Sequence, residues 1–283
     1  MSKSFVLLAG LLFYKPLSAT EGGGSNYLPG FYGDFGMAVM PDAGTYFYNF
    51  LTAYRSRDGH TTTLLEMPSI EQITDFEVLG GRYFAGFFPA FYGIWDSSGP
   101  NNHGRMGVGD AYLMPGGLGW KFDKFSIAVF EGIVAPTGYY EIDGFNIGRN
   151  VWTFDHNLLF TASLPGGNEF NFTLGLMNNT ENPATHYSSG DELHFDYFLG
   201  HYFDNGLGVG VGGSHYRQLN ADRSPDGTAN NPYSAASTIG LGVMYVPKIA
   251  ERDVMFSLKW LHEFDVTGRL PNDYLILRTF VPF

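Results

Sequence analysis

From about residue 40 onward, apolar and polar residues alternate along the chain with a period of two. In 169–178, Phe170, Phe172, Leu174 and Leu176 share one face, and Glu169, Asn171, Thr173 and Gly175 share the other. In 253–264, Val254, Phe256, Leu258, Trp260 and Phe264 oppose Asp253, Ser257, Lys259 and Glu263. The pattern returns in 151–163, with Trp152, Phe154, Leu158 and Phe160 against Thr153, Asp155 and Asn157. It returns again in 190–203, with Leu193, Phe195, Tyr197, Leu199 and Phe203 against Glu192, His194 and Asp196. Strand side chains point alternately to the two faces of a sheet, so this period predicts strands. At roughly 11–15 residues the segments exceed the common soluble strand and are long enough for a tilted membrane crossing. In a membrane barrel the apolar face meets lipid and the polar face lines the lumen.

Twelve segments fit: 44–55, 67–79, 82–94, 107–120, 123–136, 149–163, 168–178, 190–203, 206–219, 235–247, 252–264 and 271–283. Short connections at 80–81, 122–123, 164–168, 204–206 and 247–251 alternate with longer ones near 56–66, 95–106, 137–148, 179–189, 220–234 and 265–270. Short periplasmic turns and longer outer loops are the rule in outer-membrane barrels, and an even strand number places both termini on the periplasmic side. The expected fold is therefore all-β, an antiparallel transmembrane β-barrel of twelve strands. Two irregularities stand out. Glu131 falls on the side of Ile127, Val129 and Ile133, which calls for a β-bulge near it or a different reading of the segment. Gly206, Gly208, Gly210 and Gly212 leave a bare stretch of lumen wall, with room for a ligand or an inserted segment.

Residues 1–19 read as a signal peptide: Lys3, an apolar run over 5–13, and small residues at Ser18 and Ala19. Residues 20–43 form a leader rich in glycine and aromatics up to Phe35. It is either a flexible periplasmic segment or a plug that enters the lumen, with Tyr27, Leu28, Phe31 and Tyr32 as its constriction. Residues 44–283 make the barrel. The final strand ends on Phe283, like the strand that outer-membrane barrels present to their assembly machinery. No other apolar run reaches the length of a membrane helix.

Composition agrees. Gly 38, Tyr 18 and Phe 26 are high, whereas charged residues are 16%. Strands with two unlike faces accommodate that mixture. A net charge of −12 sets nucleic-acid binding aside. Absence of cysteine removes disulfides, thiolate metal sites and cysteine nucleophiles. No cofactor or metal is expected.

The lumen and selectivity candidates are Asp110, Tyr112, Asp155, Asn157, Asn171, Glu192, His194, Asp196, Lys259, Glu263 and Arg278. In a channel such groups tune polarity and charge preference, and in a filled barrel they form a hydrogen-bonded network. Lys259 and Arg278 should be partnered by Asp or Glu either way. Glu192, His194 and Asp196 at two-residue spacing read as a polar wall before a cation site. His186 and Ser188 have no convincing third partner for hydrolysis.

Several motifs keep a common order: Glu21-Gly-Gly-Gly-Ser-Asn-Tyr-Leu-Pro-Gly30, Gly107-Val-Gly-Asp-Ala-Tyr112 with Leu118-Gly-Trp120, Pro136-Thr-Gly138, Gly148-Arg-Asn-Val-Trp-Thr-Phe154, Asn179-Thr-Glu-Asn182 with Ser189-Gly-Asp191, and Trp260-Leu-His-Glu-Phe264. In this the chain resembles the outer-membrane proteins named for the meta-cleavage pathway of phenol degradation. His186 departs from the acidic residue expected there. The resemblance implies a barrel in the bacterial outer membrane that admits small hydrophobic or aromatic compounds by passive uptake. The expected partners are membrane lipids and lipopolysaccharide, the assembly machinery through Phe283, and a small hydrophobic ligand. The alternatives are a structural or adhesive surface protein and, third, an outer-membrane lipid hydrolase.

Overall fold

The structure, a computed structural model, describes residues 21, 24–99, 103–227, 229–230 and 233–283. The expected signal segment, 1–19, lies outside the described residues. Twelve antiparallel barrel strands are seen. They are β1 (Gly44–Ser56), β2 (Thr61–Val78), β3 in two halves (Gly81–Phe88 and Phe91–Asp96), β4 in two halves (His103–Val108 and Ala111–Lys121), β5 (Phe125–Ala135) and β6 (Thr153–Leu164). They continue as β7 (Asn168–Asn179), β8 (Glu192–Tyr202), β9 (Leu207–Gln218), β10 (Ala235–Tyr245), β11 (Met255–Thr267) and β12 (Asn272–Pro282). Each strand pairs with its sequence neighbour, and β1 closes the ring on β12 from Tyr46↔Pro282 to Ser56↔Asn272. Closure leaves no unpaired edge, as a sheet in lipid requires.

The outer wall is a band of exposed apolar side chains that no water-soluble surface would tolerate, among them Phe154, Leu158, Leu176, Leu241, Trp260 and Leu275. Trp152, Phe154, Trp260 and Phe264 face outward as the alternation predicts. The polar members of the same strands, Asp155, Asn171, His194, Asp196 and Lys259, are buried inside.

Several strand ends differ from the sequence reading. β2 starts at Thr61, so the first outer connection is only 57–60; Thr61–Glu66 pairs with Phe91–Asp96 and lengthens the hairpin. β3 and β4 are each interrupted, at Pro89–Ala90 and at Gly109–Asp110. Pro89 has no N–H to give to a ladder. The break is stitched to the loop over 136–152: the Asp110 carboxylate accepts from the backbone N–H of Gly138 (2.8 Å) and of Arg149 (2.7 Å). That loop holds 149–152 out of β6, with Asn150 at φ 58°. β11 is shifted to Met255–Thr267, because Arg252 and Asp253 pair with Ile249 and Lys248 in the periplasmic turn.

There is no bulge at Glu131. The β5–β6 register is continuous, and the irregularity lies in β4, between Leu113 and Gly116. Glu131 faces lipid, where its carboxylate meets His156 Nδ1 at 2.5 Å, directly across the strand pair. His156 also reaches Asn178 at 3.0 Å. Two polar residues that each break the alternation are thus partners, which lowers the cost of placing either in the apolar band.

Candidate functional site

Residues 24–41 run through the lumen. They start among the outer loops, where Glu21 accepts from Asn182 (2.7 Å) and Thr185 (2.7 Å), and finish at the periplasmic rim, where Arg82 donates to Pro41 O at 2.7 Å. The strand ends are periplasmic as expected, but the start of the described segment is at the outer mouth. The described segment therefore threads the barrel before β1 begins.

The segment is bonded to one side of the barrel. Asn26 donates to Thr153 (2.7 Å), and Ser25 donates to Glu192. The Tyr27 hydroxyl and the Gly30 N–H both give to Asp196, at 2.8 and 3.0 Å. Tyr32 gives to Asp155 at 2.7 Å, and Tyr112 gives to the same oxygen at 3.1 Å. His194 bonds Asp155 at 3.0 Å and stacks against Tyr27 (4.5 Å) and Tyr32 (5.2 Å). Further down, the N–H groups of Gly36, Met37 and Ala38 give to Glu169, Asn171 and Thr161. Backbone donors with no strand partner find side-chain acceptors instead, as burial demands. Gly30 is obligatory: its φ is +76°, and a Cβ there would lie 2.1 Å from Leu261 Cδ1.

Asp34 is the electrostatic centre. It is 1% exposed, and its carboxylate lies 3.4 Å from both Lys259 Nζ and Arg278 Nε. It also accepts from Ser257 at 2.8 Å and from the Phe35 N–H at 2.8 Å. The Arg278 guanidinium and the Lys259 ammonium together offset the cost of burying this carboxylate. Lys259 spends its other donors on Gly30 O (2.5 Å) and Gly33 O (2.6 Å), and Arg278 gives to Phe35 O (3.0 Å). Two buried cations of the wall are therefore neutralised by the segment, not by another wall residue.

The opposite side of the lumen is apolar, which corrects the expectation of a uniformly polar lining. Phe50, Leu65, Met67, Phe84, Phe88, Met114 and Leu159, from β1–β4 and β6, form one buried cluster, and Leu28 and Phe31 of the segment pack against it. Two cavities lie along this side. The outer one, 620 Å³, is a vestibule lined by Leu65, Met67, Ala90, Tyr92 and Ile94 together with Tyr27, Asp110 and Arg149. The inner one, 110 Å³, lies among Phe50, Phe84, Phe88, Met114, Phe130 and Leu159. Phe31, Tyr32 and Tyr112 line both and form the partition between them.

Asp155, His194, Asp196 and Tyr112 are brought together with Tyr27 and Tyr32. Lys259 and Arg278 meet at Asp34, and Asn171 and Glu192 hold the segment. Asn157 is buried beside Asp155 and donates to its backbone carbonyl at 3.1 Å. Glu263 stands apart near the outer rim with Arg269 and Tyr274. Asp110 fixes the outer loop and touches the site only as vestibule wall. Sequence reasoning missed Asp34, Ser257, Glu169 and the whole apolar wall. The bare glycine face is filled by rings: a Cβ at Gly208 would meet Phe35 at 3.1 Å, and one at Gly210 would meet Phe198 at 2.4 Å.

Comparison with known proteins agrees with this architecture. The family model described as "Putative MetA-pathway of phenol degradation" matches residues 42–279. Among solved structures, an outer membrane channel from Pseudomonas putida F1 superposes with a TM-score of 0.74 at 17% identity, covering 91% of this chain and 100% of that one. The β domain of the Bordetella autotransporter BrkA gives 0.48 at 12% identity, over 86% and 100% of the chains. The CymD monoaromatic hydrocarbon channel gives 0.45 at 10%, over 95% and 97%. No curated protein matches the sequence.

Proposed function

We propose that this chain, which belongs to the family described for phenol degradation by the MetA pathway, is a channel for passive uptake of small hydrophobic or aromatic compounds. It sits in the bacterial outer membrane as a twelve-stranded barrel. The observation that carries the reading is the one-sided lumen. The segment over 24–41 is bonded to the polar wall, and the two cavities along the apolar wall meet at a partition of three aromatic rings. A plug in this sense blocks water and ions while leaving an oily path beside it. The inner cavity is comparable to the cavity of about 150 Å³ known to take benzene once the flexible methionines beside it adjust.

We read the protein as a channel and not an enzyme. The His186 ring is spent on Glu181 at 2.8 Å in an exposed loop. The Pseudomonas putida F1 protein with the similar fold is an outer membrane channel. Lipid and lipopolysaccharide would contact the apolar band, and the Phe283 ring, exposed with Arg252 over it at 5.8 Å, would engage the assembly machinery. The test is flux into liposomes carrying the purified barrel, with toluene against a sugar of similar size and empty liposomes as blank. Protein-dependent passage of toluene but not of sugar is the expected result. Equal passage of both, or of neither, rejects the reading.

A further inference from the structure

The inner cavity carries one charged group that the segment does not use. Glu71, on β2, points inward among Phe50, Phe84, Phe88 and Met114, and it is 9% exposed. The only other charged residue lining this space is Arg278, already committed to Asp34 and to Phe35 O. Among the described residues no cation forms an ion pair with Glu71; the Tyr48 hydroxyl lies beside it. A carboxylate has room for about four hydrogen bonds, and burying one with a single neutral partner is unfavourable unless something else donates to it. The opposing positions do not help. Tyr46 lies across from it on β1, and Gly86, across from it on β3, has no side chain.

We infer that Glu71 is the polar recognition point of the inner cavity, selecting small aromatic rings that carry one hydrogen-bond donor, such as a phenolic hydroxyl, over bare hydrocarbons of the same size. The inference rests on the uptake reading for its biological sense, but not for its test. A ring with one donor satisfies both the apolar wall and the spare acceptor. A ring without one strips water from the carboxylate and returns nothing, and a sugar brings more polar groups than the cavity can pair. Sites that pair a buried polar group with a ligand hydroxyl discriminate far more strongly than apolar pockets do.

The experiment measures binding, not passage. The full mature barrel in lipid nanodiscs is titrated with phenol and with toluene by calorimetry, with empty nanodiscs as blank, for wild type, Glu71→Gln and Glu71→Leu. Wild type should prefer phenol over toluene by about tenfold or more, the worth of one hydrogen bond to a charged group. Glu71→Leu should abolish the preference, with phenol bound more weakly and toluene at least as tightly as in wild type, and the retained toluene binding also shows that the barrel has folded. Glu71→Gln, which keeps an acceptor oxygen, should retain part of it. A wild type without preference, or a preference unchanged in Glu71→Leu, overturns the inference. Phenol bound through Glu71 but not carried into liposomes would overturn the uptake reading and leave this one standing.

Discussion

Removing the Asp34 carboxylate tests whether the lumen segment is held by charge. In Asp34→Ala, Lys259 and Arg278, 2% and 4% exposed, lose the anion between them and are left facing each other. Breaking a buried ion pair from one side costs about 3–5 kcal/mol. The cost falls on the seated state, because both cations regain water once the segment leaves. At about 1.4 kcal/mol per decade, the ratio of unseated to seated segment should rise by roughly two to three and a half decades. Single-channel recording in planar bilayers should show longer and larger openings. Hydrogen exchange of the amides of Gly30, Gly36 and Ala38, each bonded to the wall in the seated form, should speed up. The double variant Asp34→Ala with Lys259→Met should be less open than Asp34→Ala alone, since it removes the orphaned charge as well. A folded Asp34→Ala barrel with wild-type conductance and exchange would refute the argument.

Other outcomes follow from the same geometry. In Gly175→Ala the new Cβ would lie 1.9 Å from His194 Nε2, so the ring must give up its 3.0 Å bond to Asp155. Thermal unfolding should show a loss of about 1–3 kcal/mol, with faster exchange in 27–32. On the lipid face, Glu131→Leu alone should weaken refolding into vesicles. The double change with His156→Leu should restore or exceed wild-type stability, because a lone imidazole in the band costs more than an apolar pair. If the double variant is clearly less stable than wild type, the pair outweighs its apolar replacement and this reasoning fails.

How much was legible depended on contrast between the two faces of a strand. On β6–β8 and β11 the faces are chemically opposite, so a period of two marks both the strand and its orientation. On β1–β4 large apolar and aromatic residues stand on both faces. Tyr46, Tyr48 and Phe50 point in, Phe47 and Leu51 point out, and no alternation reveals that the inner set makes a cavity. Glu131 and His156 each look like a fault in one strand, and only the β5–β6 register shows that they answer each other. Asp34 is 225 residues from Lys259 (259 − 34), and their meeting is set by the segment's path, which no strand period encodes. A signal was there all the same. Asp34 is the single acid between residues 22 and 40, while two lysine or arginine side chains of the lumen wall lacked an assigned acid.

The division of the lumen makes ion current and aromatic flux separable. Charged and hydrogen-bonded groups of the segment, Tyr27, Gly30, Tyr32 and Asp34, all bind the polar wall, whereas Leu28 and Phe31 pack on the apolar one. Hydrated ions gain nothing from an aromatic constriction and are excluded from it by dewetting. They should cross only when the polar contacts let go. A small aromatic meets the reverse situation, since its resistance is set by the ring of Phe31, which packs 4.4 Å from Phe50 at the partition. Phe31→Ala removes that ring and leaves every bond of the segment to the polar wall in place. It should raise toluene flux into liposomes severalfold while conductance stays at its closed level, the mirror image of Asp34→Ala. If Phe31→Ala raises both together, the lumen is one path and not two, and the segment closes it by bulk alone.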